Sequence, residues 1–339
     1  MSIITIVGAG MMGSAMSYPA SDNGHEIRLV GTPLDREIIE RAKKDGYHIT
    51  LKRQLPKNVT CFQIEELSEA LKDCDLLIGG VSSFGVEWFA EKVLPIIPKS
   101  LPVLSITKGL HANDDGRLIS FPDYLAAKPG CDGLSLNAVG GPCISFELAD
   151  RHHTVVAFCG HDMETLKKIK ALLSTEYYHI NPTTDVIGIE LAVAMKNAYA
   201  LGVSLAIGLA EAKNGEGCTE EYNPQAGLFT QSTREIRQLL EIAGGSPEQI
   251  IYGAGDLYVT VFGGRTRRIG TLLGRGMTYT EAAEVLKGVT LESVAITKVV
   301  IEALKKSNNN VEKFPLLQHI YDIITKGITV DVPWEKFEQ

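Results

Sequence analysis

The chain has no surplus of positive charge, no paired-cysteine motif, no internal repeat and no low-complexity tract. Each absence narrows its function. With 33 Lys and Arg against 41 Asp and Glu, the formal charge is -8, so the broad basic surface on which nucleic-acid binding depends is missing. Any anion it binds should be small and locally held. The six cysteines, Cys61, Cys74, Cys131, Cys143, Cys159 and Cys218, lie without CxxC pairs or histidines at metal-ligand spacing. They read as free thiols of a reducing compartment, with no metal site. The amino terminus, MSIITIVGAG, enters an apolar strand directly, without the basic and apolar regions of a signal peptide. No run approaches the roughly 18 apolar residues of a membrane helix. A cytoplasmic protein without membrane insertion is the expectation.

What is present fits a globular chain of two domains. At 339 residues it exceeds the size at which a single core stops growing, and 45% apolar against 22% charged residues suffices for a sizeable interior. The segments IITIV, HEIRLVG, CDLLIGGV, LPVLSIT, LSLNAV and HTVVAFCG read as short buried strands, with helical patterns such as FGVEWFAEKVLPII and DMETLKKIKALLS between several of them. That alternation predicts an α/β fold with a mostly parallel, doubly wound sheet. From Asp185 the texture changes. DVIGIELAVAMKNAYALGVSLAIGLAEAK is a long helical candidate, small and apolar almost all round, and later segments keep helical periodicity. The expected division is 1–184, a Rossmann-like dinucleotide-binding domain, and 185–339, an all-helical domain for substrate binding and dimerisation.

Residues 8–13 read GAGMMG, directly after a strand and opening a helix. Gly8 permits the tight turn, Gly10 lets the backbone approach a pyrophosphate, and Gly13 allows close helix packing. Met11 and Met12 fill the two intervening positions, and the five residues form the expected cofactor site. The acid that usually marks a NAD-binding second strand is missing, since that strand runs into Gly31 and Thr32. Arg28 and Arg36 lie nearby, and NAD and NADP both stay open.

Lys196 stands inside the apolar helix, where an ammonium costs several kcal/mol unless it is paired or gives up its proton. Glu190, six positions away, is not on the same face. The lysine either snorkels to the surface or is a desolvated group for proton transfer. Lys108, in SITKGL, follows a strand at the carboxyl edge where doubly wound sheets place ligands. Asn197 could orient substrate hydroxyls or make an interhelical hydrogen bond. The stretch GAGDLYVTVFGGRTRRIG, 253–270, carries Arg265, Arg267 and Arg268 behind two glycines, either a solvated turn or an anion site.

With GAGMMGSA, SITKGL, IGIELAVAMKNAYALG, GAGDLYVTVFGGRTRRIG and VEKFPLLQHIYDI in that order, the whole sequence resembles the NAD(P)-dependent sn-glycerol-3-phosphate dehydrogenases. The resemblance implies reversible hydride transfer between NAD(P)H and dihydroxyacetone phosphate, a small phosphorylated substrate, and a homodimer. It makes Lys196 the general acid/base, with Lys108, Asp256 and Thr260 as its polar partners. Asn197 and Arg265 match positions that hold the substrate or its phosphate. Thr266 replaces the Asn usual after the GGR arginine, and Lys287 stands where Gln or Glu usually lies near the cofactor. Pro224 and Gln225 replace a common Thr-Lys, and GTPLDREIIE lacks the usual aromatic and basic residues. These departures leave room for another small phosphorylated hydroxy compound as substrate. A ketopantoate-type reductase and a catalytically silent nucleotide sensor are the other readings.

Overall fold

A computed structural model of the chain describes residues 1–288 and 291–337. It divides into two compact units, Met1–Lys108 with Phe121–Val186, and Gly109–Ser120 with Ile187–Gln339. The first unit is built on an eight-stranded sheet: β1 (Ile3–Val7), β2 (Glu26–Val30), β3 (Val59–Phe62), β4 (Leu76–Gly79), β5 (Pro102–Ser105), β6 (Ser135–Gly140), β7 (Thr154–Gly160) and β8 (Tyr178–Thr183). Their spatial order is β8-β7-β6-β5-β4-β1-β2-β3, and every neighbouring pair is parallel except β6 with β7. The six strands expected from the sequence are all there. Ile4, Ile6, Leu76, Ile78 and Leu104 are sealed, because helices cover both faces of a doubly wound sheet and leave its central strands continuously apolar. The strand order reverses between β1 and β4, the switch point at whose carboxyl end such sheets bind ligands.

The second unit is helical, with α2 (Val186–Asn214), α3 (Tyr222–Ala243), α4 (Ile250–Val261), α5 (Gly264–Gly274), α6 (Tyr279–Val285), α7 (Glu292–Lys306) and α8 (Pro315–Lys326); the label α1 belongs to the first-unit helix Met11–Ala15. A hairpin, Leu110–Ala112 with Leu118–Ser120, also belongs here, since Leu110 and Leu118 enter the same core as Leu201, Ile301 and Leu317. Contrary to the expectation that no run reaches membrane length, α2 is long and apolar enough to do so. Within the chain, 89% of its most apolar 18-residue stretch is buried, as in a core helix.

Candidate active site

The glycine loop is tightly packed at Gly8 and Gly13. Gly8 has φ 115°, and a Cβ there would meet the Gly80 carbonyl carbon and oxygen at 2.5 Å, so the crossing of the loop over the end of β4 excludes any side chain. A Cβ on Gly13 would lie 2.1 Å from the Gly8 oxygen, which is how α1 comes close to the loop. Gly10 is different: nothing lies within 4 Å of its Cβ position, and its backbone faces open space. Beside it is a cavity of about 450 Å³, lined among others by Gly8, Asp35, Gly80, Phe84 and Trp88. Met11 is 41% exposed, whereas Met12 is half-buried, with its Sδ 3.8 Å from Cys143 Sγ. A bare backbone facing a partly apolar cleft suits a dinucleotide pyrophosphate and base.

Two side chains clamp the loop peptide from behind. Asp35 Oδ2 accepts from Ala9 N at 3.2 Å and from Thr32 N and Oγ1 at 2.8 and 2.7 Å. Buried His48 donates from Nε2 to the Ala9 carbonyl at 2.9 Å, and burial pushes its imidazole below the ordinary value, towards the neutral form. An acid therefore does reach the glycine loop, from five residues past β2 and just before the helix Arg36–Asp45. Arg28 and Arg36 are engaged elsewhere. Arg28 binds the Ala70 and Lys72 carbonyls and Glu26, and Arg36 pairs with Glu65.

Lys108 ends the first unit's run before the hairpin, and its Nζ donates to the Gly141 carbonyl at 2.8 Å. The sequence shows no signal for that partner, which is a main-chain oxygen just past β6.

In the helical unit, Lys196 does not snorkel. Its Nζ meets Asp256 Oδ1 at 2.7 Å, with the lysine side chain 15% and the aspartate side chain 1% exposed. The pairing follows from helix packing: a Cβ on Gly253 would lie 2.7 Å from the Ala192 oxygen, so α4 approaches α2 at a distance only glycine permits. About one turn further along each helix, Lys196 and Asp256 face each other. Thr260 donates from Oγ1 to the Asp256 carbonyl at 2.7 Å, tying down the turn that carries the acid without touching the carboxylate. Asn197, 8% exposed, donates from Nδ2 to Glu292 Oε2 at 3.4 Å.

The arginines divide their work. Gly263 is extended and Gly264 has φ 80°, and the chain bends there into α5. Arg265 is exposed at the start of that helix, and Thr266 is half-buried beside it. Arg267 is bound to Glu220 at 2.6 Å and to the Val261 carbonyl at 2.9 Å, and its guanidinium holds the Glu220 carboxyl below the usual range. Arg268 lines a separate cavity of about 400 Å³ with Arg267, Arg275 and Glu216. Lys287 is not gathered with the others: it forms an exposed pair with Glu284 at 3.0 Å. Among the described residues, no group of three or more His, Cys, Asp or Glu could hold a metal ion.

Residues 3–166 match the family model for the NAD-dependent glycerol-3-phosphate dehydrogenase N-terminus, and residues 185–335 match the one for its C-terminus. The chain belongs to that family. It is 33% identical over 331 residues to the NADP(+)-dependent glycerol-3-phosphate dehydrogenase of Archaeoglobus fulgidus, covering 97% of each chain. It is also 29% identical to the glycerol-3-phosphate dehydrogenase [NAD(P)+] of Streptococcus sanguinis, over 96% of this chain and 92% of the other. In fold it is similar to the crystal structure of glycerol-3-phosphate dehydrogenase from Coxiella burnetii, with TM-score 0.81 and 22% identity over 99% of this chain and 98% of that one.

Proposed function

We propose that this family member reduces dihydroxyacetone phosphate to sn-glycerol 3-phosphate with NADH or NADPH, and catalyses the reverse reaction. The observation that carries the reading is the Lys196–Asp256 pair at 2.7 Å, which joins α2 to α4 inside a largely apolar helical core. A bound dihydronicotinamide supplies a hydride to C2 of the ketone. Lys196 Nζ donates the proton that the C2 oxygen needs as negative charge develops there, and Asp256 holds the ammonium in place. In the oxidative direction Lys196 takes the proton back. Lys108 is a further polar partner of the substrate, and Thr260 acts through the Asp256 turn. Gly8, Gly10 and Gly13, with the backbone of Met11 and Met12, cradle the pyrophosphate. Lys287 in this reading touches the outer cofactor edge only after leaving Glu284. A homodimer in the cytoplasm is the expected setting, in keeping with the free thiols and the apolar helical unit. The test is oxidation of NADH and NADPH by dihydroxyacetone phosphate, followed at the nicotinamide absorbance. No turnover with either cofactor overturns the reading.

Arg265 is the proposed phosphate fork, with Thr266 beside it offering a hydroxyl. Arg265→Lys keeps the charge and loses the planar two-point contact, so KM for dihydroxyacetone phosphate should rise about tenfold or more while kcat changes less. A variant whose KM is unmoved places the phosphate elsewhere.

Asp35 puts an acidic group beside the cavity where the adenine ribose would sit. A 2'-phosphate there meets like charge. Asp35→Ser retains a hydroxyl for Thr32 and Ala9, and kcat/KM with NADPH relative to NADH should rise about tenfold. The ratio cancels any general damage to the loop, and an unchanged ratio removes Asp35 from cofactor choice.

A further inference from the structure

Asn197 sits next to Lys196 on α2, and its one hydrogen bond from the side chain goes to Glu292 Oε2, on the first residue of α7. A carboxylate in such a contact accepts and does not donate. The amide nitrogen must therefore face Glu292, and Asn197 Oδ1 must face away from it. That oxygen accepts from no described residue and is not among the side-chain atoms sealed from solvent without a partner. It is a fixed acceptor, still accessible, one residue from the proton donor.

The substrate has three polar parts. Its ketone and its phosphate are acceptors, and they suit Lys196 and Arg265, which donate. Its third polar group, the hydroxyl on the carbon beside the ketone, is the one with a proton to give, and it needs an acceptor. Asp256 Oδ1 is already taken by Lys196 Nζ.

We propose that Glu292 is a positioning residue that fixes the polarity of the Asn197 carboxamide, so that Oδ1 accepts from the hydroxyl adjacent to the ketone. The site thereby selects phosphorylated α-hydroxyketones over ketones lacking that hydroxyl. This rests on dihydroxyacetone phosphate being the substrate. A pocket with an oriented acceptor rejects a substrate that leaves the acceptor unpaired, because the desolvated group then has nothing to replace water. Without Glu292 the amide can rotate and offer Nδ2 instead, and the discrimination goes with it.

The experiment compares kcat/KM for dihydroxyacetone phosphate with that for the analogue carrying a methyl group in place of the hydroxymethyl, in wild type, Glu292→Ala and Glu292→Gln. Wild type should prefer the hydroxyl substrate by about 100-fold or more. In Glu292→Ala that preference should shrink at least about tenfold, mostly through a higher KM for the hydroxyl substrate and with kcat on the methyl analogue little changed. Glu292→Gln still offers an oxygen to Nδ2 and should keep most of the preference. A purely structural role would lower both substrates together and leave their ratio intact. An undiminished ratio in Glu292→Ala, or equal losses in the Ala and Gln variants, overturns the proposal while wild-type turnover of dihydroxyacetone phosphate leaves the functional reading standing. Wild type inactive on both substrates overturns the functional reading, and this proposal with it.

Discussion

Lys196→Ala should lower kcat for dihydroxyacetone phosphate reduction by about 10³-fold while the chain stays folded, since one positioned general acid contributes roughly 10²–10⁴. The methyl side chain leaves neither proton donor nor positive charge at the C2 oxygen. Stability should fall as well, because Asp256 loses an ammonium 2.7 Å away in surroundings that leave its side chain 1% exposed. Breaking a fully buried pair costs about 3–5 kcal/mol, and the 15% exposure of the lysine side chain puts this one at or below the lower end. Thermal unfolding followed by circular dichroism separates this loss from the loss of chemistry.

Lys196→Arg sharpens the same test. A guanidinium keeps the charge and a hydrogen bond to Asp256, but does not release its proton near neutral pH. If charge alone drove the reaction, the arginine variant would be nearly as active as wild type. If proton delivery drives it, arginine should be close to alanine in kcat and close to wild type in stability. Full activity in Lys196→Ala would remove Lys196 from the mechanism altogether.

How far the sequence foretold this site depended on where each interaction came from. Central strands such as LLIG and PVLS were readable because burial on both faces leaves them continuously apolar. The two outer strands were not: β3, VTCF, is short and half-buried, and β8, YHINPT, alternates and contains Pro182, which only an edge tolerates. Lys196 stood out because nothing in its own helix could compensate it. Its partner lies 60 residues away on another helix, and the Gly253–Ala192 approach that joins them has no local pattern in the sequence. Asp35 escaped notice because it returns to the loop from beyond the strand. Glu235 and Glu292 look like ordinary solvated helix acids, Glu235 with Arg234 and Arg237 close by, until tertiary packing buries one and turns the other towards Asn197. Lys287 shows the opposite case: its pair with Glu284 is a local i,i+3 contact on an exposed helix end, readable from spacing alone.

Glu235 carries the largest expected effect on stability. It is fully buried on α3, and its four hydrogen bonds knit three helices together. Oε1 accepts from Gln231 Nε2 and Leu316 N, both at 2.8 Å, and Oε2 accepts from Tyr199 Oη at 2.9 Å and Leu317 N at 3.0 Å. Two of those donors are first-turn amides of α8, which have no partner within their own helix. Glu235→Ala leaves all four donors facing a void and should cost about 3–5 kcal/mol near pH 5, measured by urea unfolding. The pH matters because burial pushes this carboxyl from 4.5 up to about 7 despite its donors. Between those values the folded chain holds a proton that the unfolded chain has released. Its stabilising contribution is thus complete below about 4.5 and lost as pH rises through about 7, a fall of roughly 3 kcal/mol at about 1.4 kcal/mol per unit. Glu235→Gln cannot titrate. Its unfolding free energy should vary less steeply than that of wild type from pH 5 to 7, and parallel profiles would show that the acid is ionised in the folded chain throughout.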